Sequence, residues 1–399
     1  MSGPTSVRRV VVVGAGMAGA RMCAELRERG HAGELVLVGA ETDPPYDRPP
    51  LSKAVLLGTA EPADGALDPE WYAGADVRLD VGAIGLAPGV LRTTAGELGW
   101  DALVLATGAV PHRLPGDGMA AVLRTAADAV RLRAALRPGA AVVVVGAGWI
   151  GAEVATAAAY RGCAVTVVEA APTPLAVALG VEVGAKVAPW YAEAGIELRT
   201  GAAVSTVDGA GVALAGGEHL PADAVVEGIG VRPVLDWLAG SGVDVDPASG
   251  GVVVDEGCRS TLAGVYAVGD CAARWSPRRG IRVRTEHWDD ALHAPAVAAA
   301  ALLGDGSAAY DPVPYVWSEQ FGRYLQWAGW RDGPPSVWRG DPDTDPSWAA
   351  AWLDGAGRLT GFLAVDRKRE AAVARRAIDA GLVPDPAKLA DPSVRLRDL

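Results

Sequence analysis

Two glycine-rich turns, each closing a run of valines and opening a helix-like stretch, limit what this chain can fold into. The first is VVVGAGMAGA, with Gly14, Gly16 and Gly19; the second is VVVVGAGWIGAE, with Gly146, Gly148 and Gly151. A single GxGxxG is common among unrelated turns. Two, each directly after a β-branched run, specify two βαβ units that hold two dinucleotides. The first glycine makes the tight turn, the second admits the backbone to a pyrophosphate, and the third lets helix pack on strand. The helix N-terminus then offers free N–H groups and a positive dipole end to the phosphates. Two dinucleotides in one chain imply an electron donor and an electron relay. From the residues alone, the reading is a flavoprotein fed by a nicotinamide.

With 399 residues, half of them apolar, the chain has the material for two to four domains. A net charge of −12 argues against a nucleic-acid partner, which would need a broad basic surface. Arg8 and Arg9 before an apolar run mimic an export signal, but the run holds the glycine turn and leads into the charged stretch Arg21 to Arg29. The apolar stretch Val142–Ala159 contains Glu153 and the second glycine turn, so it reads as a buried strand, turn and helix rather than a membrane span. The expectation is a soluble cytoplasmic protein with no membrane partner. Cys23, Cys163, Cys258 and Cys271 form no CxxC or CxxxxC pair, so neither a disulfide framework nor a local dithiol relay is expected. No GxSxG, HExxH or Cys/His cluster is present, the five histidines are scattered, and no metal site is expected.

The pattern predicts strand Val10–Val13, helix Ala18–Arg29 and strand Leu35–Val38, then the Pro-rich loop Asp43–Lys53 and a strand Ala102–Ala106. Helix Ala126–Leu136 leads into strand Ala141–Val145, helix Ile150–Arg161, strand Ala164–Val168 and strand Ala224–Val226. A strand ends in YAVGD at Asp270. From Pro312 the texture changes to Trp-rich alternating runs and a charged helix Arg367–Ala380. The fold class is therefore α/β. Residues 1–115 and 241–311 form a discontinuous first dinucleotide domain, 116–240 the inserted second, and 312–399 an α+β C-terminal domain.

The segments PYDRPPLSK, VLATGAVPHRLPG, LRTAADAVRLRAAL, GIGVRP, VYAVGDCA, TEHWDDA and PYVWSEQFG, together with the two glycine turns, are similar to those of FAD-dependent, NADH-dependent ferredoxin reductases of bacterial oxygenase systems. The resemblance runs end to end, and PYDRPPLSK and WSEQF are its most specific parts. It implies a glutathione-reductase-type fold with bound FAD in the first domain, at Gly14, Gly16, Ala18 and Gly19. Many relatives place an Asp for the ribose where this chain has Ala40; Glu41 is the substitute, with a solvated loop acid as the alternative. Arg48, Val81, Ala106, Thr107, Gly108, Arg133, Gly269, Asp270, Glu286 and Trp288 are the further FAD positions the resemblance implies. Cys271, without a partner thiol, reads as a small buried residue, and His287 has a structural or a catalytic role. Lys53 is expected near the flavin ring, where its charge favours the anionic reduced flavin; a surface lysine is the alternative. Trp317 is expected as an aromatic near the ring, against a core tryptophan.

By the same resemblance the second glycine turn holds NADH, at Gly146, Gly148, Trp149, Ile150, Gly151 and Gly230. Glu169 closes the strand about 20 residues on, where a carboxylate accepts from the ribose 2′-hydroxyl and repels a 2′-phosphate. Glu153, in the first helical turn, is expected to pair with Lys53 across the domain junction beside the nicotinamide. The alternative is an acid that serves the helix dipole. NADH then reduces FAD, and the electrons pass one at a time to a [2Fe-2S] ferredoxin that supplies a monooxygenase or dioxygenase. A basic run, Arg274, Arg278, Arg279, Arg282 and Arg284, with Arg323 and Arg331, reads either as its docking surface or as a solvated face. Two rivals stay open. One is direct reduction of a small molecule or oxygen, although no Cys stands near PPLSK to serve peroxide or disulfide chemistry. The other is a redox-controlled interaction protein of the apoptosis-inducing-factor type.

Overall fold

The computed structural model describes residues 7–116 and 120–399, and the chain forms two compact units. The first comprises residues up to Asp47, Ala63–Val110 and Val231–Pro312; the second comprises Arg48–Pro62, Pro111–Gly230 and Val313–Leu399. The short segment Arg48–Pro62, which carries the end of the Pro-rich loop and Lys53, thus packs with the second unit.

A five-stranded parallel sheet organises the first unit, in the order Val265–Ala267, Ala102–Leu105, Arg9–Val13, Glu34–Val38, Asp76–Arg78. Its inner strands are near-continuous apolar runs because helices or other strands cover both faces. One face carries Val10, Val12, Leu35, Leu37 and Val104 against helices Met17–Glu28 and Trp288–Leu302, and the other carries Val11, Val13, Val36 and Leu103. The period-2 alternation of strand side chains divides them in this way.

The second unit repeats the plan with four parallel strands, Glu197–Thr200, Ala164–Glu169, Ala141–Val145 and Ala224–Glu227. Its helix Trp149–Tyr160 has five alanines and a glycine among twelve residues, so it lies close on the sheet. In the same unit, a five-stranded antiparallel sheet runs Tyr315–Gln320, Arg323–Gly329, Leu359–Val365, Trp348–Leu353, Val337–Arg339, backed by helix Lys368–Asp379. Leu56, Val144, Leu325, Trp348 and Trp352 share one apolar core, so the three chain segments of this unit are packed into a single body. The buried guanidinium of Arg339 bonds Glu370 at 3.0 Å and the carbonyls of Leu389 at 3.1 Å and Val394 at 2.6 Å, which ties the last residues to the sheet.

The sequence-based elements are present within one or two residues of their expected ends, except that the strand expected to run to Asp270 stops at Ala267, and the apolar stretch Val142–Ala159 is indeed strand, turn and helix. Among the described residues no helix is long and apolar enough to cross a membrane.

Candidate functional site

Each glycine turn uses its three glycines differently. Gly14 has φ +113°, and a Cβ there would sit 2.1 Å from the Ala106 carbonyl oxygen. A Cβ on Gly19 would lie 1.8 Å from Gly14 O. The second turn repeats this: Gly146, φ +99°, faces Gly228 O at 2.5 Å, and Gly151 faces Gly146 O at 2.0 Å. These four glycines are explained by the fold alone. Gly16 and Gly148 are not. Each has ordinary extended backbone, and a Cβ on either would meet nothing within 4 Å. Each is also the N-cap of a twelve-residue helix with no side-chain cap and no acid in its first turn. Open space above uncapped N–H groups, with no acid in the first turn of either helix, fits a pyrophosphate on both turns.

In the first unit the turn Gly14–Gly19 lies beside the backbone of Ala106 and Thr107, and Ala18 beside Gly269. The expected FAD positions Ala106, Thr107, Gly269 and Asp270 therefore gather at the carboxyl ends of the parallel strands, the binding edge of such sheets. Gly108 follows with φ +66°. Asp270 sits in a short 3-10 turn, Gly269–Cys271, rather than at a strand end. Trp288 opens the helix Trp288–Leu302, whose N-cap is His287, with Nδ1 accepting from the Asp289 N–H at 3.3 Å; this gives His287 a structural part. Glu41 accepts a hydrogen bond from the Tyr46 hydroxyl at 2.5 Å, and Val81 packs against the sheet. Glu286 is ion-paired with Arg284 at 2.5 Å, and Arg284 also donates to the Asp270 carbonyl at 3.3 Å. Cys271 is fully buried with its thiol on the Leu105 and Val268 carbonyls, and burial pushes its pKa up to about 11. The four cysteines are all free thiols.

The basic run is not one surface. Arg274 is 5% exposed, pairs with Asp290 at 3.0 Å and lies over the Tyr310 ring, so its expected place on a docking face is corrected. Burial raises the Asp290 carboxyl above its usual range, and the Arg274 charge opposes that rise. Arg282 donates to the Val254 carbonyl at 2.8 Å. Arg278 is exposed and Arg279 half-buried, both in the turn between strands Ala272–Ser276 and Ile281–Val283. In the second unit, Arg323 is held by Glu193 at 2.6 Å over the Trp190 ring, and Arg331 caps the carbonyls of Ala176, Val177 and Ala178.

The second unit brings Lys53 and Glu153 together at 2.9 Å. The pair is internal to this unit, because Arg48–Pro62 packs with the helix that carries Glu153. Helix Trp149–Tyr160 starts one residue earlier than expected, which places Glu153 fifth, beyond the first turn. It is 3% exposed and cannot serve as a solvated helix-end acid; Lys53 is 18% exposed at its side chain and is no free surface lysine. Arg48 donates to the Arg124 carbonyl, and Arg133 to Glu61 at 2.8 Å and the Ala60 carbonyl at 3.2 Å. Glu169 ends its strand and accepts from the backbone N–H of Ala147 and of Ala171, each at 2.7 Å, so it also braces the glycine turn. Ile150 is exposed on the helix's first turn beside Trp149, while Gly230, φ +95°, accepts from the His112 N–H at 2.9 Å. Trp317 stacks on Tyr315 at 6.1 Å between centroids.

Sequence reasoning missed two buried serines. Ser52 and Ser318 both donate to Glu153. The buried Glu227, held by Arg113 at 3.1 Å and the Leu114 N–H at 3.0 Å, was also missed. Position next to Lys53 is the one local signal for Ser52. Ser318 lies 165 residues from its partner and carries none.

Comparison with known proteins agrees with this geometry. Residues 8–294 match the pyridine nucleotide-disulphide oxidoreductase family, and residues 315–399 match the reductase C-terminal family. The ferredoxin–NAD(+) reductase component of the anthranilate 1,2-dioxygenase system of Burkholderia cepacia is 40% identical, over 97% of this chain and 98% of its own. The crystal structure of Fdr9 matches with TM-score 0.91 and 51% identity, over 97% of this chain and 99% of that one. The reductase in the covalent putidaredoxin reductase–putidaredoxin complex matches with TM-score 0.92 and 31% identity, over 98% and 97%. Two uncapped dinucleotide turns on two parallel sheets, followed by the matching C-terminal sheet, place the chain in the pyridine nucleotide-disulphide oxidoreductase family, among its ferredoxin–NAD(+) reductases.

Proposed function

We propose that this chain takes electrons from NADH and passes them through bound FAD to an iron–sulfur ferredoxin that supplies an oxygenase. The observation that carries the reading is the pair Gly16 and Gly148, each an uncapped helix N-terminus whose glycine neither backbone angle nor packing requires, as a close pyrophosphate would. The relatives' names, a dioxygenase-system component and a reductase joined to its redoxin, supply the acceptor class. FAD held there would supply two-electron acceptance from NADH and one-electron release to ferredoxin. The chain's own residues position and tune. The helix Met17–Glu28 and the backbone at Thr107 and Gly108 hold the FAD pyrophosphate side, and Asp270 accepts from the ribityl chain. Glu169 selects NADH by accepting from the 2′-hydroxyl. Lys53, fixed by Glu153, would supply the charge that favours the anionic reduced flavin, and Trp317 would lie near the ring. The soluble acceptor docks with Arg278 and Arg279, the members of the basic run on the surface turn.

Ferredoxin-dependent reduction of cytochrome c by NADH tests the reading. The rate should rise with added [2Fe-2S] ferredoxin. An equal rate without ferredoxin would sink it and favour direct reduction of a small acceptor.

A further inference from the structure

Glu153 is held by more donors than an ion pair needs. Besides the Lys53 ammonium, its carboxylate accepts from the Ser52 hydroxyl, the Ser318 hydroxyl at 2.5 Å and the Glu319 N–H at 3.4 Å. Ser318 and Gln320 are both 0% exposed. They stand two residues apart in strand Tyr315–Gln320, hence on one face. The Gln320 side-chain amide donates to Ser318 Oγ at 3.0 Å. A hydroxyl carries one proton. With its oxygen accepting from Gln320, that proton is directed to Glu153. One helical turn further on, Thr156 accepts from the Phe321 N–H at 3.0 Å and fixes the end of the strand to the same helix.

We propose that Ser318, oriented by Gln320, is a positioning residue for the reaction. It locks the Glu153 carboxylate in the rotamer that holds Lys53 Nζ in place. The proposal rests on the reading of Lys53 and Glu153 given above. A buried hydroxyl is unfavourable unless bonded, and bonds to a charged acceptor are the strong ones. A serine in an apolar core beside a buried charge therefore has a task that alanine cannot perform.

The chain has only four lysines, Lys53, Lys186, Lys368 and Lys388, so acylation of the folded holoprotein can be read at each amine by mass spectrometry. Ser318→Ala should raise Lys53 labelling severalfold against the other three. It should slow flavin reduction by NADH about tenfold, as expected for a lost bond to a charge, and leave the NADH Kd within about twofold. Ser318→Thr, which keeps the hydroxyl, should restore both readouts, and Gln320→Met should fall between. In a Glu153→Gln background, Ser318→Ala should add less than about twofold. Wild-type Lys53 labelling and wild-type reduction in Ser318→Ala overturn the proposal. If Glu153→Gln and Lys53→Ala leave flavin reduction unchanged, the reading of the pair fails instead, while the labelling still reports whether Ser318 holds Lys53. Should Ser318→Ala lose FAD and expose all four lysines, Gln320→Met decides, and unchanged Lys53 labelling there overturns the role.

Discussion

Replacing the middle glycine of a turn by alanine separates folding from binding. Gly148 has φ −78° and ψ −169°, a conformation alanine adopts freely, and no atom lies within 4 Å of the added Cβ. Two small effects on stability oppose each other. Alanine reduces the freedom of the unfolded chain, worth about 0.4–1 kcal/mol, and is a poorer N-cap than glycine by a similar amount. Gly148→Ala should therefore unfold within about 1 kcal/mol of the wild type. Binding has no such compensation. A methyl group pushed into a close backbone–phosphate contact costs about 1–3 kcal/mol, which raises the NADH Kd about 5- to 150-fold. Gly151→Ala is the control, since its Cβ would stand 2.0 Å from the Gly146 carbonyl oxygen and should damage the fold itself. Urea unfolding gives stability, and saturation of the flavin-reduction rate gives the NADH Kd. Gly16→Ala should behave in parallel, losing FAD on gel filtration while the apoprotein stays folded. An NADH Kd unchanged in Gly148→Ala would refute the argument that the open face belongs to the nucleotide.

Three further outcomes follow from the side chains. NADH should be preferred over NADPH by about 30- to 1000-fold in kcat/KM. Glu169→Ala should narrow that gap and weaken both cofactors, because the Ala147 and Ala171 N–H groups lose their acceptor; equal efficiency of the two cofactors in the wild type would refute the role. Burial holds the thiols of Cys23 and Cys258 up near 12 and that of Cys271 near 11, so all three stay protonated and unreactive in mildly alkaline buffer. Iodoacetamide should label Cys163 alone in the native protein, and modification of Cys271 would contradict its buried placement. Arg278→Glu with Arg279→Glu should raise the KM for ferredoxin and flatten its salt dependence, since exposed charges are screened within about 10 Å at 0.1 M. Unchanged ferredoxin kinetics in that double variant would move docking elsewhere.

The parts of the site that were legible in the sequence are those encoded locally. Gly14 and Gly146 announce their positive φ by being glycine, and Glu169 is reached by counting along one βαβ unit. The basic run misled because exposure is decided by the partner. Arg274 stands in a five-residue strand whose inner face meets Asp290, a residue sixteen positions on, and nothing in the run itself distinguishes it from Arg278. Ser318 was hidden for the same reason. An alternating YVWSEQ gives the strand but not the residue it faces. The Lys53–Glu153 pair, 100 residues apart, was reached through the resemblance of whole motifs and not through spacing.

The three-part second unit bears on the order of synthesis. Its shared core needs Leu56, Val144 and Trp348 together, and the Glu153 carboxylate gathers donors from residues 52–53 and 318–319. A nascent chain that has emerged only through the last strand of the first unit, Ile281–Val283, holds the first two segments with no third to cover them. Closing loops of this length is slow, and uncovered apolar surface invites aggregation meanwhile. The contacts that fix Glu153 and Lys53 can thus be completed only after residues 318–319 have emerged, later than every strand of the first unit.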